Sequence, residues 1–431
     1  MESSDRSLSE RTDAAVNFLE RATKTDVRYL FKGGFWLALD EIGGGIVALL
    51  LSIAFAHYLP KDVYGTYRYF VALYWTLTAF TMTGLPTAVS RAVAKGHEGT
   101  FRSALLFSIR WALPLSAFAL CASAYYLFHG NASLGLGLII IAGIGPFMQA
   151  AYMWGSYFIG KKQFRSLAFS GIFFFVFPAI ILFATMYVVK NPLVLLASYL
   201  GGTVVAGFIL ALFITIRLRP NPSTDPEFKE LGWHFSAMNL LSTISQQVDK
   251  LVVFHYLGAV ELAVYSLATA LPEQVKNTLG GVTTLALPKF VERPFADIRK
   301  NFWNRLWSYT GLLVLIALAY IIIAPFAFDI LFPAYHEAIW FSQLYALSLI
   351  PIGNALPLTV LQAHKANREL YIANIISPVF QIGILIFLTA GYGLVGTVMA
   401  RIVARVFNFA INGILLEVYG KREGFARTAS S

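Results

Sequence analysis

Residues 312–324 read LLVLIALAYIIIA, thirteen positions without a charge, a glycine or a proline. Extended to its flanks, Ser308 to Phe332, the run holds one charged side chain, Asp329. At 1.5 Å per residue such a helix outruns the roughly 30 Å hydrocarbon core of a bilayer. A strand of a membrane barrel would alternate apolar and polar positions, and neither this run nor Leu136 to Ala142 alternates. The run is a transmembrane helix, and runs like it recur. They lie near 33–57, 69–93, 103–128, 134–159, 167–189 and 193–216, then near 235–257, 265–288, 308–332, 339–363, 370–390 and 394–416. The expected fold is therefore all-α, a polytopic membrane protein of twelve transmembrane helices. Two of the runs are polar for their kind: 235–257 carries Asn239, Gln246, Gln247, Asp249 and Lys250, and 265–288 carries Glu273, Gln274, Lys276 and Asn277.

Composition agrees. Of 431 residues 57% are hydrophobic and 13% charged, about half the charge of an ordinary soluble domain. That excludes a soluble enzyme, a disordered chain and a disulfide scaffold; the single cysteine, Cys121, has no intramolecular partner. Residues 1–30 are polar and mixed in charge, unlike a signal peptide, and Val16, Phe18, Leu19 and Ala22 offer a modest stripe for a short surface helix or a solvated tail.

Lysine and arginine set the expected orientation. Twenty-five lie in the two tails and in the loops after spans two, four, six, eight and ten; three, Lys61, Arg68 and Lys190, are assigned to the opposite loops. Both termini are thus expected in the cytoplasm, with the protein in the cytoplasmic membrane. The net charge of +10 then reflects topology and attraction to anionic membrane lipids, with no nucleic-acid partner implied.

One break divides the chain. Arg217 to Gly232 reads RLRPNPSTDPEFKELG, a proline- and charge-rich linker with six runs on either side. The expected domains are a tail (1–30), a six-helix lobe (31–216), the linker (217–232), a second six-helix lobe (233–417) and a tail (418–431). The halves resemble each other: His57-Tyr58-Leu59 closes the first run and His255-Tyr256-Leu257 the seventh, and the same offset pairs Tyr67 with Tyr265, Ala72 with Ala270 and Leu73 with Leu271. Two pseudo-symmetric lobes of even span count insert the same way up, which points to a transporter with its site between them.

The opposite loops are short, as at Gly130–Ser133, Gly258–Val264 and Ala390–Gly393, and leave no room for an external catalytic domain. No glycine-rich loop precedes Lys-Ser or Lys-Thr, the seven histidines are scattered, and no serine, histidine and acid set is spaced for hydrolysis. The expectation is not an enzyme, with no metal site and no cofactor. Gly43-Gly44-Gly45 inside the first run reads as close helix packing or a flexible kink.

Ionisable groups at membrane depth cost about 2.5–3.5 kcal/mol each on insertion scales and usually face an interior or a wet cavity. Arg401, Arg405, Asn408 and Asn412 recur at helical spacing and form one polar stripe; Asn374, Ser377 and Gln381 form another. A hydrated cavity in which Arg401, Arg405, Lys276, Lys250, Asn408, Gln381 and Arg110 hold an anion is one reading, since guanidinium matches two phosphate oxygens at once. Internal neutralisation is the other: Asp249, Glu273, Asp40 or Glu41 pair with those cations and staple helices. Glu273 and Lys276 are i, i+3 neighbours and can pair with each other, and Arg110 lies near enough to a span end to snorkel. Asp40, Glu41 and Asp249 are the candidates for H+ or Na+ coupling.

Tyr58-Leu59-Pro60-Lys61-Asp62-Val63-Tyr64-Gly65-Thr66-Tyr67 resembles the signature closing the first span of polysaccharide and O-antigen flippases. Gly84-Leu85-Pro86-Thr87-Ala88-Val89-Ser90-Arg91 is similar to that family's end of span two, and Asp249-Lys250-Leu251-Val252 with Tyr256-Leu257-Gly258 and Val264-Tyr265 to its passage around span seven. Pro288 fits the proline closing span eight. The family belongs to the multidrug, oligosaccharidyl-lipid and polysaccharide exporter superfamily. The resemblance implies a V-shaped pair of six-helix bundles that open alternately to either side. It implies as substrate a lipid-linked oligosaccharide on a polyprenyl pyrophosphate, a monomeric flippase for surface polysaccharide assembly, and a polysaccharide polymerase or glycosyltransferases as partners. The sequence departs from the pattern at Ala263, where glycine is expected, and in the acidic Asp40 and Glu41. A cation-coupled multidrug or metabolite antiporter of the same superfamily, and a non-transporting membrane scaffold for glycan-synthesis enzymes, are the alternatives.

Overall fold

The computed structural model describes the backbone of residues 27–291 and 294–429, and their side chains except at 27–33, 280–289, 291, 296 and 423–429. The expected tail helix before residue 27, Arg293 and the side chains of Pro288 and Lys289 lie outside the described residues. The described residues are mostly helical, and no strand occurs among them. Fifteen α-helices follow in order: α1 (Val27–Tyr58), α2 (Lys61–Leu77), α3 (Leu85–Ala94), α4 (Thr100–Trp111), α5 (Leu113–Phe128), α6 (Ala132–Ala151), α7 (Trp154–Gly160), α8 (Phe164–Val188) and α9 (Pro192–Phe213), then α10 (Phe228–Leu257), α11 (Ala259–Val291), α12 (Phe295–Leu331), α13 (Glu337–Ala346), α14 (Ala355–Ala363) and α15 (Asn367–Ala429).

Among the described residues, eight helical stretches are long and apolar enough to cross a membrane: 34–58, 100–128, 132–160, 164–188, 192–218, 297–331, 337–363 and 367–422. The last combines two of the expected spans. Gly393 has φ +59 and ψ −138 inside it, and Thr389 Oγ1 lies 3.0 Å from Thr397 Oγ1. Eight residues of straight helix would separate them by about 12 Å, so the chain reverses at Gly393, where only glycine takes that conformation without strain.

Three expected spans fall short of the criterion, each for a physical reason. Residues 69–93 are cut by a 3₁₀ turn at Thr78–Phe80 and non-helical residues up to Gly84. Runs 235–257 and 265–288 are continuous helices, α10 and α11, whose polar side chains lower their hydropathy. The helix containing Tyr67 also starts eight residues earlier than the apolar run suggests, so Arg68 sits inside α2 and not in a loop. The linker likewise ends early: after Pro226 the chain enters α10 at Phe228, ahead of Gly232.

Helices α1, α8, α9, α6 and α5 pack in that sequence of contacts, and α11, α13, α14 and α15 pack around the 3₁₀ segment Leu347–Asn354. The two groups meet where α2 and α3 lie on α10 and α11. Near the α1–α2 corner their apolar side chains merge into one core containing Leu59, Tyr64, Tyr67, Phe70, Leu262–Ala268, Phe332 and Tyr335. Toward the lysine- and arginine-rich end the cores are separate, Leu85, Phe101, Trp154 and Phe228 in one and Phe295, Phe302, Leu361 and Leu416 in the other. Gly65 permits the closest approach at the shared corner, since a Cβ there would meet the Ala259 carbonyl oxygen at 1.8 Å. The triple glycine is a packing device: α1 runs unbroken through it, with Ile172, Phe175 and Gln274 seated against Gly43, Gly44 and Gly45.

Candidate functional site

Helix α10 is shared between the two groups. At its start Ser236 Oγ accepts from the Gly84 amide at 2.9 Å; nearer its end Gln381 Nε2 donates to the Ser245 carbonyl at 2.6 Å. This tie is where Gln381 is placed, so its amide nitrogen is committed to backbone.

One turn further along α10 the second arm of α15 delivers its arginines. Arg401 donates to Asp249 Oδ2 through Nη2 at 2.6 Å and Nε at 3.1 Å, and to the Gln246 carbonyl at 3.3 Å. Tyr265 on α11 donates its hydroxyl to the same Oδ2 at 2.7 Å. Arg405, one turn away on the same face, pairs with Glu273, donates to Ser348 Oγ at 2.6 Å and lies over the Tyr345 ring, 5.2 Å from its centroid. Glu273 also accepts from Tyr345 and Lys276. Lys250 donates to Gln247 Oε1 at 2.6 Å. Asn408 continues the stripe with its Oδ1 buried and unpartnered, and Asn412 Nδ2 donates to the Asn354 carbonyl at 3.4 Å.

The structure thus brings together Arg401, Arg405, Lys276, Lys250 and Asp249. Asp249 and Glu273 do neutralise the arginines, as the staple reading expects, but four cations surround two carboxylates, and two positive charges stay uncompensated. Glu273 and Lys276 keep roughly a third of their side-chain surface exposed, whereas Arg401 and Arg405 are 15% and 14% exposed. The arrangement can hold an anion at its lysine side while the arginines fix α10, α11 and α15 relative to one another.

Other expected residues lie elsewhere. Arg110 is on the exposed side of α4, which packs mainly on α6 and α3. Asp40 faces α8, its Oδ1 buried without a hydrogen-bond partner and pressed against Gly171, where a Cβ would stand 1.8 Å away. Glu41 is exposed. Asp40 and Glu41 therefore do not join Asp249 in one site.

Sequence reasoning passed over Arg68, Tyr265, Tyr345 and Ser348. For Arg68 a signal exists: Val63, Tyr67, Phe70 and Tyr74 recur at i, i+4, i+7 and i+11 and begin a helix ahead of the continuous apolar run. Tyr345 and Ser348 have none, because their role depends on Arg405, 60 and 57 residues away.

A family model described as polysaccharide biosynthesis protein matches residues 30–293. This chain belongs to the polysaccharide biosynthesis protein family. The match spans the whole first group of helices, the linker, α10 and α11, including Asp249, Lys250, Glu273 and Lys276. Comparison with curated proteins gave no match. Among solved structures the family member resembles the lipid II flippase MurJ in an inward closed conformation (TM-score 0.65, 16% identity, 88% of this chain and 87% of that one). It also resembles a MOP superfamily transporter from Pyrococcus furiosus (TM-score 0.61, 13% identity, 90% and 96%) and a eukaryotic MATE transporter (TM-score 0.60, 13% identity, 91% and 95%). At these identities the likeness concerns the fold. The family member is a polytopic membrane protein with the fold of a transporter.

Proposed function

We propose that this family member is a flippase that carries a lipid-linked oligosaccharide, on a polyprenyl-pyrophosphate carrier, from the inner to the outer leaflet for surface polysaccharide assembly. One observation carries the reading: the surplus of positive charge at membrane depth, Arg401, Arg405, Lys250 and Lys276 against Asp249 and Glu273, beside the helices that join the two groups. Isolated cations at that depth are expensive, and a pyrophosphate passing between the groups would offset them. In this reading residues 31–216 and 233–417 are two lobes joined by 217–232. They alternate between inward- and outward-open forms, with both termini in the cytoplasm and the protein a monomer in the cytoplasmic membrane. It acts as a transporter and not an enzyme, its partners being membrane lipids and the polymerase or glycosyltransferases of the pathway. Coupling to H+ or Na+ falls to Asp40, which, unlike Asp249 with its Arg401, has no cation within salt-bridge distance among the described residues.

Deleting the gene and following labelled lipid-linked units tests the proposal. Undecorated surface and units accumulating on the inner leaflet are expected; normal surface glycan in the deletion strain would overturn it. Purified protein that moves such a lipid across liposomes would exclude the scaffold alternative.

A further inference from the structure

Helices α1 and α8 touch along one half of their shared length and part along the other. In the first half glycine sets the spacing: Ile172 and Phe175 of α8 seat against Gly43 and Gly44, where an added Cβ would stand 3.2 and 3.0 Å away, and Asp40 presses on Gly171. Past Val47 and Val176 the seam opens into a groove of about 590 Å³ that runs to Tyr58, roughly 16 Å along α1. Leu50, Ala54 and Tyr58 stand on one wall, and Ala179, Ile180 and Phe183 on the other. Pro178 lies inside α8 over this stretch. It has no amide to return to the Phe174 carbonyl, and a proline so placed bends its helix.

Leu50, Ile180 and Phe183 leave 60%, 63% and 45% of their surface exposed. Walls this apolar on membrane-spanning helices face hydrocarbon and not water, so the occupant is a lipid chain. Glycine contacts shut the groove at one end, which puts the polar head of that lipid at the other. There the Tyr58 ring stands edge-on to Phe183 at 5.8 Å and to Tyr187 at 6.3 Å, a cluster of the kind that marks a membrane–water boundary. This mouth adjoins the junction of the two groups. Leu59, the next residue, belongs to their shared core, and α1 also meets α11 through Gln274 at Gly45. Lipid tails are as apolar as the groove, so packing alone decides which chain it keeps. Ala54 and Ala179 indent the two walls between larger side chains. The methyl branches of an isoprenoid fill such indentations, and a linear acyl chain leaves them empty.

We propose that the groove between α1 and α8 seats the isoprenoid chain of the carrier lipid, holding the tail beside the junction while the head lies at the corner between α1 and α2. The inference deepens the flippase reading and rests on it for the identity of the lipid; the groove's choice of chain is tested without it.

The test reconstitutes the full-length protein in phosphatidylcholine vesicles with geranylgeranyl phosphate carrying a diazirine at its tail. After illumination, mass spectrometry maps the labelled residues. Hexadecyl phosphate with the same diazirine, equal in head and in main-chain length, is the linear control. Wild type should be labelled within 47–58 and 176–183 by the branched probe, and unlabelled geranylgeranyl phosphate should compete where hexadecyl phosphate does not. Ala179→Phe, which fills an indentation, should lower this labelling about tenfold, the worth of roughly ten lost atom–atom contacts. Ile180→Ala, a milder change to an exposed side chain, should lower it less, and Ile322→Phe, on the exposed side of α12, should leave it unchanged. Labelling elsewhere, or equal labelling and competition by the linear probe, overturns the proposal. So does labelling that fades as the protein-to-lipid ratio rises, since a second copy would then cover the groove. If the groove selects the branched chain while the deletion strain shows normal surface glycan, the groove stands and the flippase reading falls. If the deletion strain accumulates lipid-linked units and the groove takes no label, the flippase reading stands and the groove falls.

Discussion

The corner between α1 and α2 and the corner between α10 and α11 carry His-Tyr-Leu followed by a tyrosine at the same distance, Tyr67 in one and Tyr265 in the other. Both tyrosines are buried in the shared core. Tyr67 lies among rings, 5.2 Å from Phe55 and 6.4 Å from Tyr199. Tyr265 instead donates to Asp249, which holds Arg401. At the common offset Asp249 is matched by Leu51, Lys250 by Ser52, and Arg68 by Ser266. Ion-paired carboxylates occur in two places: Asp249 and Glu273 lie at depth, on Arg401 and Arg405, while Glu98 and Asp225 sit at the basic end, on Lys161 and Lys95. A backbone corner has been repeated, and the buried carboxylate–arginine pair has been laid on one copy only. Packing is what the repeat preserves; the electrostatics belong to single positions.

The largest effect that would break this comparison is at Asp249. Asp249→Leu, which imitates the matched Leu51, should destabilise by about 3–5 kcal/mol because it leaves Arg401 buried without its partner. Thermal unfolding in detergent measures it, and a loss below about 1 kcal/mol would mean that the buried pair is not what holds this corner. Tyr265→Phe against Tyr67→Phe sharpens the contrast. A hydrogen bond to a charged group contributes about 1.5–3 kcal/mol, so Tyr265→Phe should cost that much and Tyr67→Phe less than about 1 kcal/mol; equal losses would place the two corners on the same footing.

The smallest effect lies at the basic end. There the Lys161 ammonium, at 2.6 Å, holds the Glu98 carboxyl below its usual range, and the Glu227 amide does the same for Asp225. Both acids fasten the linker: the Asn221 amide donates to Glu98, the Asp225 amide to Thr100 Oγ1 at 2.9 Å, and Ser223 Oγ meets His97 Nδ1 at 2.7 Å. A depressed carboxylate contributes stability above its ordinary range that is lost as pH falls through its folded value. The unfolding midpoint should therefore hold from pH 7 down to about pH 5 and decline as the pH falls further, and less steeply in Glu98→Gln, which has already lost one such contribution. Parallel declines would show that the linker acids carry none of it.

Much of the fold is legible in the sequence, because a bilayer demands long apolar helices and the demand is met locally. The site is legible in part. The stripe of Arg401, Arg405, Asn408 and Asn412 is a matter of helical spacing, readable along one segment. Arg68 is hidden because its helix begins with Lys61 and Asp62, which imitate a loop. The break at Thr78–Gly84 hides in the opposite way, inside a run whose average hydropathy resembles a single span.

By itself the sequence determined that this chain is a bundle of membrane helices with charges at depth, since hydrophobic length and residue type are properties of each segment alone. Only the tertiary structure decided which of those charges cancel. Arg401 meets a carboxylate 152 residues away and Arg405 one 132 residues away, while among the described residues Arg68 and Lys250 have none within salt-bridge distance, because Coulomb energy depends on distance through space and the chain's order does not record it.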